Sequence, residues 1–223
     1  MARSISDFKS YLKKGGARPN LFLVRLNFPN LSQVADIGGS SLASTTLTTQ
    51  SEFLVKTAQI PASNIGTIEV PYRGRMLKVA GDRTFEPWSV TVINDGSFEV
   101  RKAFETWSRG INALTENVSQ LGYGANGGAS YCVDMTVFQL SRDGITPNRT
   151  PSNPNTAGTD GMDVIRAYKF YDAWPSSISS IDLSYEANDQ IEEFTVEFQY
   201  NFFEVTSPSL WYIINNRTTL ETL

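Results

Sequence analysis

Carboxylates are the side chains of this sequence with the clearest capacity for chemistry, because four of them occur at regular spacing near the C-terminus. Asp182 and Glu186 alternate with apolar residues in one stretch, and Glu193 and Glu197 do so in the next. Two carboxylates that converge in a cleft can hydrolyse a glycosidic bond, and the sequence leaves this chemistry open, although no spacing here demonstrates such a pair. The alternation predicts two strands, each with one apolar and one polar face, joined as a hairpin around Asn188.

Residue types that are missing restrict the chemistry further. The 223 residues include no histidine and a single cysteine, Cys132. Histidine-dependent nucleophilic catalysis is therefore excluded, together with an intrachain disulfide and a multi-thiolate metal site. We expect Cys132 to be a small buried apolar residue, and we expect no cofactor and no enzymatic activity.

The charge balance argues against tight binding of nucleic acid. The chain carries 23 acidic and 19 basic residues, a formal net charge of −4, whereas phosphate binding needs a basic surface. A mildly acidic surface can still face DNA and let it pass, because like charge removes the attraction that would hold the polymer. No apolar run approaches the roughly 20 residues of a membrane helix, so we expect no membrane insertion.

The elements that would position these residues are clearest between residues 80 and 114. Period-two alternation predicts a strand at 88–92, and apolar residues spaced by three or four predict a helix from Val100 to Leu114. The strand and the helix should pack their apolar faces together. This interpretation assigns Trp88, Phe104 and Trp107 to the core, and Asp82 and Arg83 to a turn that fixes local geometry.

The remaining pattern indicates a mainly β (α+β) protein with at most two helices. Further strands are predicted at 21–28, 53–61 and 131–140, a hairpin at 65–81 around Arg73 and Gly74, and a short N-terminal amphipathic helix. These elements favour an antiparallel β-sandwich or partly closed barrel with one packed helix. We predict one domain at 1–204, with an N-terminal arm and inserted loops at 31–50 and 143–161, and a C-terminal extension at 205–223.

Several blocks of the sequence, in the right order, resemble the tail tube proteins of contractile-tailed, T4-like bacteriophages. Residues 17–26 and 174–204 form two of these blocks, and the third contains Gly81, Asp82, Arg83, Thr84, Phe85, Trp88, Asn94, Asp95, Arg101, Phe104 and Trp107. The resemblance implies a ring-forming fold, in which hexameric rings stack into a tube and the strands of all subunits join one β-barrel. Such a tube would conduct DNA during ejection.

The resemblance also gives roles to individual residues and implies partners. The lumen-facing residues would be Asp182, Glu186, Glu193 and Glu197, and contacts between rings or subunits would involve Arg18, Asn20, Phe53 and Lys56. Expected partners are further copies of the chain and the tail sheath, baseplate and tail terminator proteins, while DNA passes without tight binding. The protein would belong to the virion tail and assemble in the host cytoplasm.

Other functions stay open from the sequence. The inner tube of a phage-derived contractile injection particle would need the same architecture. A monomeric carbohydrate-binding β-sandwich would use tryptophan and tyrosine as exposed stacking platforms, and a carboxylate glycosidase would need two converging acids. The predicted burial of Trp88 and Trp107 argues against the carbohydrate-binding alternative.

Overall fold

A computed structural model describes residues 5–12, 16–31, 34, 44–123, 130–141 and 164–206. Within these residues there are three helices, α1 (Ile5–Tyr11), α2 (Ser44–Leu54) and α3 (Glu99–Ile111). The nine strands are β1 (Phe22–Arg25), β2 (Val55–Ala58), β3 (Asn64–Tyr72), β4 (Arg75–Thr84), β5 (Trp88–Ile93), β6 (Val133–Leu140), β7 (Val164–Ile178), β8 (Glu193–Gln199) and β9 (Phe202–Thr206). None of the described helices is long and apolar enough to cross a membrane.

Seven of the strands form one sheet and the other two form a separate hairpin. The larger sheet has the order β1-β6-β7-β8-β5-β2, with β9 also paired to β7, and β3 pairs with β4. Pairing is antiparallel between β2 and β5, β5 and β8, β7 and β8, and β3 and β4. The predicted mainly β, antiparallel fold class is confirmed, and the described strands do not close into a barrel because the order ends at β1 and at β2.

The chain divides into two compact units, and each has its own apolar cluster. One unit comprises 1–24, 136–169 and 204–223, and the other comprises 25–135 and 170–203. In the first unit, Phe138, Leu140 and Ala167 are buried with Leu21, Leu23 and Val164 packed against them. Leu140 also donates its amide N–H to the Leu21 carbonyl oxygen at 2.9 Å, which ties the N-terminal segment to β6.

In the second unit, helix α3 covers one face of β5 and β8. Most of the buried helix residues are spaced by three or four, as on one helix face. They are Val100, Ala103, Phe104, Thr106, Trp107 and Gly110. Glu99 in the first turn and Arg109 in the last turn oppose the charges of the helix dipole and favour the helix at both ends. The strand and the helix predicted around residues 88–111 are confirmed, but Leu114 lies beyond the helix and is 85% exposed.

The segment predicted as an irregular loop at 31–50 contains part of a helix, so that prediction is wrong for residues 44–50. Helix α2 is rich in serine and threonine, residues that usually compete with helical hydrogen bonds. Here the Thr48 and Thr49 hydroxyls donate to carbonyls four residues earlier, and the helix buries Leu47 and Ser51. Tertiary packing therefore overrides the weak helix propensity of this segment. The described residues contain three helices, whereas the sequence predicted at most two.

Other sequence-based boundaries were less accurate than the element types. The strand predicted at 21–28 is formed only over Phe22–Arg25, and the strand predicted at 53–61 only over Val55–Ala58. The hairpin around Arg73 and Gly74 is confirmed. The predicted loop at 143–161 and all of the predicted extension beyond residue 206 lie outside the described residues.

Candidate functional site: the polar face of the sheet

The sheet face opposite helix α3 is lined by polar side chains. Along β5, Trp88, Val90 and Val92 are buried, whereas the residues between them point to the other side and are partly exposed. Along β8, Phe194, Val196 and Phe198 are buried in the same way. Because opposite residues of an antiparallel pair share a face, the register between β5 and β8 places Ser89 beside Glu197, Thr91 beside Thr195 and Ile93 beside Glu193.

Hydrogen bonds hold this polar face together across three strands. The Thr91 and Thr195 hydroxyls lie 3.3 Å apart, so one donates to the other across β5 and β8. Thr57 of β2 is opposite Thr91, which continues the row of hydroxyls to the end of the sheet. A row of hydroxyls binds water well and carries no charge, so this face attracts neither cations nor phosphates strongly.

Two of the four predicted lumen acids, Glu193 and Glu197, lie on this face. Glu193 accepts a hydrogen bond from the ammonium of Lys56 on β2, and the two form an ion pair that crosses over β5. Glu197 is exposed and is opposite Ser177 of β7 on its other side. On β2, β5 and β8 the charged residues are one lysine and two glutamates, so these three strands together contribute one excess negative charge.

The other two predicted acids, Asp182 and Glu186, do not lie on a strand, so the hairpin predicted around Asn188 is wrong. Residues 179–192 form a loop between β7 and β8, and the strand that pairs with β8 on this side is β7. Leu183 and Tyr185, which the alternation assigned to an apolar strand face, are 81% and 105% exposed. The four acids therefore do not form one row.

The predicted core residues are buried and tightly packed. Trp88, Phe104 and Trp107 are 2%, 0% and 0% exposed. The Phe104 ring lies 5.9 Å from Phe198 and 5.0 Å from Phe28 between centroids, and the indole N–H groups of both tryptophans donate to backbone carbonyls. With Trp88 and Trp107 buried, neither is available to stack on a sugar.

Asp82 and Arg83 lie in strand β4, not in the turn that the sequence predicted. Arg83 is opposite Ile65, and its guanidinium donates to the Ser63 hydroxyl at the base of the hairpin. The pairing shifts register between Ile65 and Thr67, where a bulge accommodates the extra residue on β4. The local role proposed for this pair stays a prediction, now at a strand irregularity.

The residues predicted to contact other subunits are dispersed. Arg18 and Asn20 are exposed just before β1, and the Arg18 carbonyl accepts a hydrogen bond from the Gln139 amide at 2.8 Å. Phe53 is 76% exposed near the end of α2. Lys56 is engaged with Glu193 within its own chain, so it contributes to the polar face.

The described residues offer little support for catalytic chemistry. Glu193 and Glu197 are four residues apart on one strand, roughly 13 Å between Cα atoms, and the Glu193 carboxylate forms an ion pair with Lys56. Within the described ranges, no group of three or more Cys, Asp or Glu residues is placed to hold a metal ion. Cys132 is only partly buried, in contrast to the prediction, and burial and then Asp172 raise the pKa of its thiol to about 11.

One exposed surface was missed by the sequence interpretation. Every residue from Ile65 to Ala80 in the β3–β4 hairpin is exposed, and Ile68, Val70, Leu77 and Val79 share one face of it. Alternation in the sequence predicts the hairpin but does not reveal whether its apolar face packs on its own chain. An apolar sheet face exposed to this extent is typical of an interaction surface.

Comparison with known proteins gives the family. A family model for phage tail tube proteins matches residues 17–206. Tail tube protein gp19 of Enterobacteria phage T4 is 26% identical over 190 residues, which cover 84% of this chain and 91% of that protein. The tail tube protein of Serratia phage KSP90 is 25% identical over 199 residues, which cover 88% of this chain and 94% of that protein.

Solved structures also match over most of the chain. A chain of the anti-feeding prophage baseplate, whose structure was determined by cryo-EM, superposes with a TM-score of 0.49 and 10% identity, covering 84% of this chain and 93% of that chain. The family match spans nearly all of the described residues and includes all three blocks that carry the sequence resemblance. The predicted relationship to T4-like tail tube proteins is confirmed, and the chain belongs to the phage tail tube protein family, whose members are structural proteins of the virion tail.

Proposed function

We propose that copies of this chain form hexameric rings, which stack into the inner tube of a contractile phage tail and conduct DNA during ejection. The observation that carries the proposal is a sheet with two open ends in its strand order, whose β2, β5 and β8 strands carry a row of hydroxyls and one excess negative charge on the face opposite α3. The first property suits addition of further copies, and the second suits a channel for DNA.

Ring formation follows from the ends of the sheet. An edge strand presents backbone N–H and C=O groups that another strand can bind. The order of the larger sheet ends at β1 on one side and at β2 on the other. If β1 of one copy pairs with β2 of the next, the contact is heterologous, and a suitable rotation between copies closes it into a ring with one continuous sheet.

The polar face would then line the lumen. Glu197 supplies the excess negative charge, while Glu193 is neutralised by Lys56 and the hydroxyls of Thr91 and Thr195 are neutral. DNA carries a high density of negative charge, so a weakly negative wall avoids the counterion release that drives tight binding. Asp182 and Glu186 are therefore not proposed to line the lumen, because they lie in the loop after β7 and not on this face.

Surfaces outside the lumen would contact the other tail components. Arg18 and Asn20 precede β1, and Phe53 lies in the last turn of helix α2 and is 76% exposed. We assign these three residues to contacts between rings or subunits. The sheath, the baseplate and the tail terminator would bind the outside and the ends of the tube, and assembly would take place in the host cytoplasm.

Electron microscopy of the purified protein tests the assembly. We expect rings or hollow tubes at high protein concentration, since the open sheet edges favour addition of further copies. A protein that stays a dispersed monomer under all conditions tried would contradict the proposal.

A charge reversal tests the channel in virions that carry the variant as their tube protein. Glu197→Lys should leave tubes intact but slow DNA release, measured with a fluorescent DNA dye, because a ring of lysines would bind phosphates in the lumen. Glu116→Lys is the matched control, since Glu116 is exposed in the segment that follows α3. Equal release by both variants would show that Glu197 does not face the DNA.

A further inference from the structure

The turn between β5 and α3 contains an aspartate followed directly by a glycine, Asp95 and Gly96. The Phe98 amide N–H closes this turn by donating to the Asp95 carbonyl oxygen at 3.0 Å. Aspartate rearranges most readily when glycine follows it, because glycine has no side chain to shield its backbone nitrogen. The turn therefore contains the residue pair that isoaspartate formation requires.

The Asp95 side chain is held beside the peptide bond that would react. Its Oδ2 accepts a hydrogen bond from the Ser97 hydroxyl, two residues further along the chain. A side chain that reaches forward to residue 97 passes the intervening peptide, so its carboxyl group lies on the side of the Gly96 nitrogen. Positioning of this kind raises the rate of an intramolecular reaction, because the reacting groups are already brought together.

Few competing contacts keep the two reacting groups apart. Asp95 Oδ1 is buried without a hydrogen-bond partner, and Asp95 forms no ion pair with any residue that the structure describes. Within the same ranges, no group accepts a hydrogen bond from the Gly96 amide. Gly96 is exposed, and a Cβ atom added to it would meet nothing within 4 Å, so a ring has room to close there.

We propose that Asp95 is a site of spontaneous isoaspartate formation. The Gly96 nitrogen attacks the Asp95 carboxyl carbon in its acid form, the bond from that carbon to its hydroxyl breaks, and the hydroxyl leaves with the amide proton as water. The product is a succinimide ring. Water then adds to one of the two ring carbonyls and breaks its bond to nitrogen. Addition at the former main-chain carbonyl gives isoaspartate, and addition at the other carbonyl restores aspartate.

Isoaspartate lengthens the main chain by one methylene group between β5 and α3. Asn94 is fixed on the β5 side, because its backbone N–H donates to the Glu192 carbonyl at 2.8 Å and its side-chain amide donates to the Glu192 carboxylate at 2.9 Å. Phe98, on the other side, has a φ of 57°, a left-handed conformation that is unfavourable for a bulky residue. The added methylene group must therefore change the turn at which α3 begins.

The reaction needs neither a partner nor assembly, so it does not depend on the proposed tube. A structural protein of the virion tail is not replaced once the particle is complete. The modified form would therefore accumulate as the particle ages, and its fraction would report the age of the tail.

Peptide mapping by mass spectrometry tests the site in the folded, full-length protein over several weeks of incubation. Fragmentation that distinguishes the two isomers is needed, because isoaspartate and aspartate have the same mass. We expect the isoaspartate fraction at Asp95 to rise steadily. The chain has the same dipeptide at Asp143 and Asp160, each followed by glycine, and these two sites serve as internal references.

Two substitutions separate the held carboxyl group from the dipeptide itself. Ser97→Ala should slow the reaction at Asp95 about threefold, because it releases the carboxyl group from its position, and it should leave the rates at Asp143 and Asp160 unchanged. Ser97→Thr retains the hydroxyl and should retain the wild-type rate. Gly96→Ala should slow the reaction about tenfold, because a Cβ atom shields the nitrogen and restricts the backbone. Circular dichroism of fresh protein should show all three variants folded, since both positions are exposed.

Two results would overturn the inference. One is a folded protein in which Asp95 stays unmodified while isoaspartate appears at Asp143 or Asp160. The other is an equal rate at Asp95 in wild type and in Ser97→Ala, which would show that the bond from Ser97 does not position the carboxyl group. Either result leaves the proposed tube untouched, because the measurement follows the covalent structure of the chain and not its assembly.

Discussion

Gly110, in the last turn of helix α3, provides a stringent test of the packing in the larger unit. A Cβ atom added there would lie 2.7 Å from Leu121 Cδ1 and 2.8 Å from Val34 Cγ2. Both neighbours are buried, at 1% and 5% exposure, so neither can move freely into solvent. The Gly110 carbonyl also accepts hydrogen bonds from the Gln120 and Leu121 amides at 2.9 and 3.0 Å, which holds the connector against the helix end.

Two effects of Gly110→Ala oppose each other. Alanine is favoured over glycine inside a helix by about 1 kcal/mol, whereas insertion of a methyl group into a packed core costs about 1 to 3 kcal/mol. Because the contacts are far below van der Waals distance on two sides, we expect the second effect to prevail. The net loss should be about 1 kcal/mol, which lowers the melting temperature by roughly 2 to 4 °C for a chain of this size.

Thermal unfolding followed by circular dichroism measures this loss in the unassembled protein. Gly96→Ala is the control, because a Cβ at Gly96 meets nothing within 4 Å and the backbone there needs no positive φ. Leu121→Ala should cost less in the Gly110→Ala background than in wild type, since it removes the clashing group. An unchanged or raised melting temperature for Gly110→Ala would refute the argument.

The other two predictions concern the core and the thiol. Phe104→Ala should lower the free energy of unfolding, measured by urea titration, by about 3 to 5 kcal/mol, because Phe104 is fully buried. Leu114→Ala should change it by less than about 0.5 kcal/mol, because Leu114 is exposed beyond the end of helix α3. Equal losses for the two variants would contradict the end of the helix at Ile111. At pH 9 the Cys132 thiol, whose pKa is raised to about 11, should react with a disulfide reagent about fiftyfold more slowly than a thiol of pKa 9, because its thiolate fraction is about fiftyfold smaller. Since the folded pKa exceeds the unfolded one, the associated stability is present below pH 9 and is lost as the pH rises to 11.

Hydrophobic periodicity predicted the centre of the structure well. In β5 and α3 the period-two and the three-or-four patterns are strong, and six of the eight apolar residues that they select are buried, the exceptions being Ile111 and Leu114. The local pattern was sufficient to predict these two elements because each has one face buried in the core and one face exposed to solvent. The same holds for β8, where Phe194, Val196 and Phe198 are buried in alternation.

The pattern failed where pairing depends on distant residues. Alternation at 181–186 describes side-chain order but not the backbone partner, and β7 already occupies the position beside β8 through the pair Ser177 and Glu197. Pro175 lies within β7 although proline normally argues against a strand interior. The sheet tolerates it because the register shifts between Pro175 and Ser177.

The candidate site was predictable only in part. Glu193 and Glu197 follow from the strand pattern, but the neutralisation of Glu193 depends on Lys56, which is 137 residues away in the chain. The exposed apolar face of the hairpin was hidden for a related reason. Sequence gives the apolar character of a face, whereas the surface that covers it is a property of the folded and assembled protein.

The end strand β2 has a consequence for the proposed addition of further copies. It contains only four residues and its pairing with β5 is interrupted by an irregularity between Val55 and Thr57. A short, distorted edge is a poor template for indiscriminate strand addition, which protects newly made subunits from forming fibres. The ammonium of Lys56, fixed on β8 through Glu193, meanwhile keeps this edge ordered, so that a correctly oriented neighbour loses little conformational entropy when it joins.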